Sequence, residues 1–388
     1  MPPADLVRCR CCPQGGLIRL LAVDAVPVEN SRLYDDPAAA AAVSRGDLRI
    51  DRCDLCGFVQ NSAFDPSIVV YDDDYEASQG HSATFVAFAE RIIDELVDRF
   101  ALSDSRVLEI GCGGGDFLEM FVERAGGTGV GYDPTLGADA GTRGALDLRA
   151  DWYGAGSGHH DADLVMIRHT LEHIPDVDAF LRMVRAELTD RPDAVLYVEV
   201  PDTARIAGEG AFWDVYYEHC AYFDAETLTQ LLRRTGFDPV EVRLDYEGQY
   251  LVAYARVGEP VTEIVEHPAP MDFTSMVDHV AAWQDWADER AAAGERVAVW
   301  AASSKAVALL TTLVGFEPIV AVDINPAKAG RFLPATATPV IHPDDLAAHD
   351  IDTVLVMNPI YAAEIATTLG ALGLSPTMWG MGAVPQRV

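Results

Sequence analysis

The segment RVLEIGCGGGDFLEMF, residues 106–121, leaves this chain few ways to fold. An apolar strand over 107–110 runs into a tight glycine turn and then into the first turn of a helix. Gly111, Gly113 and Gly115 carry no Cβ, so the backbone can turn sharply at a strand end and approach a ligand closely. Later segments repeat the alternation. DADLVMIRHTLEHIPD and DAVLYVEVPD read as further strands, with the amphipathic helix VDAFLRMVRAEL between them. TLTQLLRRTGF reads as another helix and PVEVRLDYEGQYLVAYARVG as a closing hairpin. Strand, helix, strand and a terminal hairpin predict an α/β, Rossmann-like sheet.

The glycine turn alone does not choose a cofactor. GTGVGYDP reads as a second strand ending in Asp133, a spacing that suits the ribose of either a nicotinamide dinucleotide or S-adenosylmethionine. A dinucleotide fingerprint wants a third glycine where this chain has Asp116. That carboxylate, with Glu109 just before the turn, would oppose a pyrophosphate. S-adenosylmethionine has no phosphate and carries a sulfonium and an ammonium, so the same acids favour it. Asp151, after LDLRA, stands where such enzymes contact the adenine.

Ahead of this unit, Cys9 and Cys12, then Cys53 and Cys56, form two C-x2-C pairs about forty residues apart. Each such turn can aim two sulfurs at one point, and four thiolates make a closed tetrahedral site for structural zinc. The short strands and loops between the pairs carry little apolar material, which a metal would offset. Free thiols or a redox pair are the alternatives, and Cys11 could compete with Cys12 as ligand. Beyond a Pro- and Glu-rich linker, EPVTEIVEHPAPM, comes a second α/β unit: a helix, then RVAVWAASSKAVALL, IVAVDINP and IDTVLVMNP. Its glycine loop is replaced by Ala301, Ala302, Ser303 and Ser304. Small residues at a helix start still offer N–H groups to an anion, and Lys305 adds a charge.

Acidic residues outnumber Lys plus Arg by 61 to 28, and Lys305 and Lys328 are the only lysines. A formal charge of -33 repels polyphosphate backbones, which argues against nucleic-acid and anionic-membrane partners. No run approaches the length of a membrane helix and no basic-then-apolar leader opens the chain. Seven cysteines, several in close pairs, fit a reducing cytoplasm. Nothing here fixes the oligomeric state, and a monomer is compatible with it.

FWDVYYEHCAYF, residues 212–223, crowds aromatic residues around an acid and an imidazole. His219 is the best base candidate, because imidazole titrates near working pH. If the stretch is helical, Tyr216, His219 and Tyr222 share a face, while Glu218 and His219, as neighbours, do not meet. Glu218 would then orient another group or bind a hydroxyl. His173, in LEHIPD, reads equally as a cap for the helix that follows.

In this order, the cysteine pairs with CGFVQ, then YDDDYEAS, VLEIGCGGGDF, LEHIPD, VYYEHCAYF, SSKA, DINPAKAGRFLP and VLVMNP resemble the sugar C-methyltransferase family, typified by C-3 methyltransferases of nucleotide-linked deoxysugars in antibiotic biosynthesis. The resemblance covers nearly the whole chain. It implies a zinc-binding module over 1–70, a class I methyltransferase core over 71–258 and a C-terminal Rossmann-like domain over 259–388 that helps hold the nucleotide-linked sugar, with Ser304, Lys305 and Asn358 on the substrate. It also implies methylation of a carbon next to a ketone, with Glu218 and His219 as acid and base and Tyr75, His173, Tyr216 and Tyr222 near the acceptor. Two departures stand out. The family commonly reads Tyr-His-Glu-His where this chain has Tyr216, Tyr217, Glu218 and His219, and His-Gly-Gly-Ser where it has YEGQYL.

Overall fold

The computed structural model describes residues 8–12, 14–72, 74–75, 78–158, 161–266 and 271–388. Residues 267–270 of the expected linker and parts of YDDDYEAS lie outside the described residues. Three sheets organise the chain.

The first is built from β1 (Leu17–Pro27), β2 (Arg45–Cys53) and β3 (Val59–Asn61), which pair antiparallel in sequence order. The central sheet holds β4 (Arg106–Ile110), β5 (Thr128–Tyr132), β6 (Gly141–Arg143), β7 (Leu146–Arg149), β8 (Leu164–Arg168) and β9 (Val195–Pro201). A short strand, β10 (Ala221–Tyr222), belongs to the first sheet, and the hairpin β11 (Phe237–Asp245) and β12 (Tyr250–Val257) returns to the central one. The central order is β11-β12-β9-β8-β4-β5-β7-β6. Strands β4, β5, β7, β8 and β9 run parallel, and β12 enters antiparallel beside β9.

Parallel strands are covered on both faces, which is why β8 reads as a continuous apolar run rather than an alternation. Its alternate residues reach opposite cores. Leu164 and Met166 join Phe85, Phe88, Ile92 and Leu118 under the helices Ala83–Phe100 and Asp116–Ala125. Val165 and Ile167 join Leu181, Val184, Leu228 and Leu232 under Val177–Glu187 and Ala225–Thr235. The helix starts follow their caps: Ser82, Asp176 and Asp224 each accept an N–H from the first turn.

The C-terminal sheet contains β13 (Val297–Trp300), β14 (Val320–Val322), β15 (Val340–Ile341), β16 (Thr353–Val356), β17 (Thr377–Gly380) and β18 (Gln386–Arg387), in the order β15-β14-β13-β16-β17-β18. All but the last are parallel. Its first turn repeats the geometry of the central unit without glycine: Ala302 N–H donates to Asp323 Oδ2 at 2.9 Å, with Ala301 at φ 131°.

Two features join the parts. Strand β10 pairs Ala221 with Gln60 and Tyr222 with Val59, so the first sheet is completed by the stretch that carries Glu218 and His219. An apolar cluster unites Leu33, Leu48 and Ile50 with Trp213 and with Ala302, Val307 and Leu310. A boundary near residue 70 is therefore crossed by both a sheet and a core. Among the described residues no helix is long and apolar enough to cross a membrane.

Candidate active site

In a doubly wound sheet the cleft opens where strand order reverses, beyond the carboxyl ends of the central strands. Here that point lies between β4 and β8. Glu109, Gly111 and Gly113 end β4, Asp133 ends β5, and Arg168 to His173 follow β8.

On the β4 side, Gly111, Gly113 and Gly115 all take positive φ. A Cβ on Gly111 would strike Thr170 Oγ1, whereas a Cβ on Gly113 would meet nothing within 4 Å, so this peptide faces open space. Gly113 N–H donates to Asp133 Oδ2 at 2.8 Å, and Asp133 Oδ1 accepts from Thr135 N–H and Oγ1. Glu109 is buried, with Oε2 unpartnered. Burial raises its carboxyl to about 8, against the pull of Arg168. Asp116 accepts from Ser78 Oγ at 2.8 Å. Asp151 is exposed at the end of β7, its carboxylate accepting the Trp152 N–H. An orphaned buried acid beside an open glycine peptide suits the cationic end of S-adenosylmethionine, so Glu109, Gly111, Gly113, Gly115 and Asp133 fit that cofactor.

A second group is assembled from distant segments. FWDVYYEHCAYF is not a helix through the site residues: only Phe212–Asp214 forms a 3-10 turn, His219 N–H then donates to Tyr216 O, and the chain enters β10. The aromatic rings still gather. The His219 ring centre lies 4.1 Å from Tyr216, 4.9 Å from His173 and 6.2 Å from Tyr222. His173 caps nothing, because Asp176 caps the following helix; its Nδ1 is 3.0 Å from Tyr71 OH. Tyr71 packs against Tyr75, with ring centres 5.4 Å apart.

Glu218 Oε1 accepts the Asn30 N–H at 3.0 Å, while Oε2 is buried with no partner. Burial pushes this carboxyl up to about 7, although the Asn30 and Ser31 N–H groups restrain it. Burial, reinforced by His173, His169 and Lys305, drives His219 well below the imidazole range. Both groups the sequence offers as acid and base, Glu218 and His219, are thus buried together here, the carboxyl raised and the imidazole lowered. Tyr75 and Tyr216 are raised by burial and stay protonated donors.

Several residues that sequence reasoning missed complete the floor. His169 Nε2 lies 2.8 Å from Glu199 Oε1 and its Nδ1 3.7 Å from Glu172 Oε1. Burial opposes its charge, but hydrogen bonding to Glu172 and Glu199 prevails and raises it to about 9. Glu199 also receives Arg168 at 3.1 Å and Tyr197 OH at 2.7 Å. Burial works against its carboxylate, yet Arg168 and His169 hold it down at about 2. The available signal was charge ending or interrupting an apolar strand, as in LVMIRH and VLYVEVP.

Each tail residue expected on the substrate has a partner within the chain. Lys305 Nζ is 2.7 Å from Asp214 Oδ1, and Arg205 shares the same carboxylate. This lysine is thus committed to an ion pair within the chain, and its pairing ties the tail to the 3-10 turn ahead of Tyr216. Ser304 Oγ meets Ser31 Oγ at 2.7 Å. The Asn358 amide pairs doubly with that of Gln249, at 2.9 and 3.1 Å. All three residues join parts of the chain to one another.

The cysteines converge at the opposite end of the first sheet. One sulfur from each of Cys9, Cys53 and Cys56 lies within 4.8 Å of the others, and Cys9 and Cys56 are 3.6 Å apart. Within this set, hydrogen bonds from Cys56 and Cys9 favour a thiolate on Cys53 at the expense of its partners. Cys12 lies outside this triplet, with Sγ 3.7 Å from Gln14 Oε1, but it still interacts with Cys53. Cys11 is buried apart from the group. A buried set of three convergent sulfurs, with Cys12 beside them, fits a zinc ion.

Two sequence families match the chain: one described as a methyltransferase domain, over residues 85–242, and one as a C-methyltransferase C-terminal domain, over residues 264–375. The C-methyltransferase NovU of Streptomyces niveus is 27% identical over 394 residues, covering 93% of this chain and 92% of its own. Among solved structures, the 1,6-didemethyltoxoflavin-N1-methyltransferase of Burkholderia thailandensis, with bound 1,6-didemethyltoxoflavin and S-adenosylhomocysteine, is 21% identical. It covers 44% of this chain and 79% of its own, at a TM-score of 0.36. An S-adenosylmethionine-dependent methyltransferase from Mesorhizobium loti is 17% identical, covering 45% and 98%, at a TM-score of 0.35.

Proposed function

We propose that this chain, an S-adenosylmethionine-dependent C-methyltransferase similar to the sugar C-methyltransferases, methylates the carbon beside a ketone of a nucleotide-linked keto-deoxysugar, through an enolate that Glu218 generates. The observation that carries this reading is the Glu218 carboxyl, buried, held by one oxygen and free at the other, and poised at about 7. Methylation of carbon needs a base to take an acidic proton; methylation of an oxygen or amine nucleophile has no need for proton removal from carbon.

In this mechanism Glu218 Oε2 takes the proton beside the ketone, and the electron pair moves into the enolate. Tyr216 and the neutral His219 donate to its oxygen, and Tyr75 closes the same wall. S-adenosylmethionine supplies the electrophilic methyl when bound. Glu109, the glycine turn and Asp133 hold that donor on the opposite wall of the cleft. The nucleotide-linked sugar is what the family resemblance of motifs running nearly the full chain implies, while the relative matched over 93% of the chain supports C-methylation. The cysteine cluster, far from the reacting atoms in this scheme, holds a structural zinc through Cys9, Cys53, Cys56 and Cys12.

The test is product analysis with a panel of nucleotide-linked 4-keto sugars and a labelled methyl donor. A carbon–methyl bond by NMR, with deuterium entering at that carbon from heavy water, is the expected outcome. A methyl ether or N-methyl product overturns the proposal. For the donor wall, Asp133→Ala is expected to weaken S-adenosylmethionine binding by about 1–3 kcal/mol, the scale of a lost hydrogen bond in a buried polar site. Calorimetry should show this loss and no binding of nicotinamide dinucleotides; tight dinucleotide binding would reverse the assignment.

A further inference from the structure

Some polar groups at the acceptor wall have no counterpart within the protein. His219 is 5% exposed, its ring set among those of Tyr216, His173 and Tyr222. Glu172, also buried, leaves Oε2 unpartnered. His173 stands beside both: one ligand atom from each of Glu172, His173 and His219 lies within 4.8 Å of the others. Buried polar groups without partners are costly, so something polar fills this space.

Two imidazoles and a carboxylate are the donor set of a zinc-class divalent ion with its fourth position open. A supporting hydrogen bond is present as well. His173 Nδ1 lies 3.0 Å from Tyr71 OH, and its ring also faces the Glu218 backbone carbonyl; in the tautomer whose Nδ1–H donates to Tyr71, the lone pair on Nε2 is the one a metal would take. The strongly acidic chain raises the local concentration of cations. His169 is the opposing charge, 3.7 Å from Glu172 Oε1, but Glu199 pairs with it more closely.

We propose that Glu172, His173 and His219 bind a divalent cation of the zinc, cobalt and nickel class when no acceptor is present, and that cation and acceptor exclude each other. The exclusion rests on the reading that seats the acceptor at His219; the cation site itself does not. Binding here is weaker and more exchangeable than at the cysteines, because three mixed ligands replace a closed thiolate set. Free zinc would accordingly act as a reversible inhibitor.

Protein purified without chelator is titrated with Co2+ and followed by visible absorption. The expected result is an equivalent with the d–d bands of nitrogen and oxygen ligation and no thiolate-to-cobalt charge transfer. Affinity should fall by tenfold or more in Glu172→Gln and His173→Gln, and by roughly 10–100-fold in Tyr71→Phe, the range for losing a ligand's supporting hydrogen bond. Unchanged S-adenosylhomocysteine affinity in each variant shows the fold intact. A methylated sugar should displace the cobalt, and Co2+ should inhibit competitively against that sugar. Absence of this equivalent, or equal affinity in Glu172→Gln and His173→Gln, overturns the site. A sugar that is methylated yet leaves cobalt in place overturns the exclusion. If cobalt binds as expected and no sugar is methylated, the acceptor reading fails and the cation site stands on its spectrum.

Discussion

Glu218→Gln is expected to slow both deuterium exchange beside the ketone and methyl transfer by roughly 10²–10⁴-fold, the usual contribution of a positioned general base. Donor affinity should not change, because Glu109 and Asp133 lie on the other wall. The pH dependence carries the sign of the shift. A carboxyl raised to about 7 is protonated, and inactive as a base, below that value, so the wild-type exchange rate should climb as pH rises through about 7. The variant should lack this rise. His219→Gln should slow transfer without moving the limb, since its ring is already neutral across that range. An unaltered exchange rate in Glu218→Gln would remove this carboxylate as the base, and loss of the limb in His219→Gln would return that role to the histidine.

The second large effect is expected at the cysteines. Cys53→Ser should abolish zinc retention and unfold the first sheet, because structural zinc contributes about 10–16 kcal/mol of apparent binding free energy. That is comparable with the whole stability of an ordinary domain, about 5–15 kcal/mol. Activity should be lost with it, for a reason visible in the structure. Strand β3 pairs with β10, and the Asn30 N–H holds Glu218, so melting the first sheet releases the base. Cys11→Ser is the control and should keep the metal, since its sulfur lies outside the triplet. Elemental analysis and thermal unfolding with and without chelator read both variants; absence of zinc from the wild type, or full retention in Cys53→Ser, would refute the assignment.

Local pattern was enough for the architecture. The apolar run before Gly111, the alternation of strand and helix through Thr235, and the hairpin around YEGQY are encoded within a few residues of each element, and the observed elements follow them. The glycine turn and the acid ending β5 were legible for the same reason: a tight turn at a strand end permits few residue types. Three of the four cysteines in the C-x2-C pairs, Cys9, Cys53 and Cys56, converge as their spacing suggested.

The chemistry of the acceptor wall was legible only as composition. Glu218, His219, Tyr216 and His173 could be named from sequence, yet which of them is a base depends on burial and on partners far along the chain. The N–H that restrains Glu218 belongs to Asn30, 188 residues away, and carries no side-chain signature at all. Lys305 looked like an anion site by its position before a helix; its pairing with Asp214, 91 residues earlier in the chain, could not be read there. His169, Glu199 and Arg168 acquire their charges only because desolvation makes unpaired ions costly and the sheet sets β8 beside β9. Sequence determined which elements form and which chemically able residues they carry. Tertiary structure decided their protonation and pairing, because both depend on the dielectric and on neighbours that only the folded chain brings within a few ångströms.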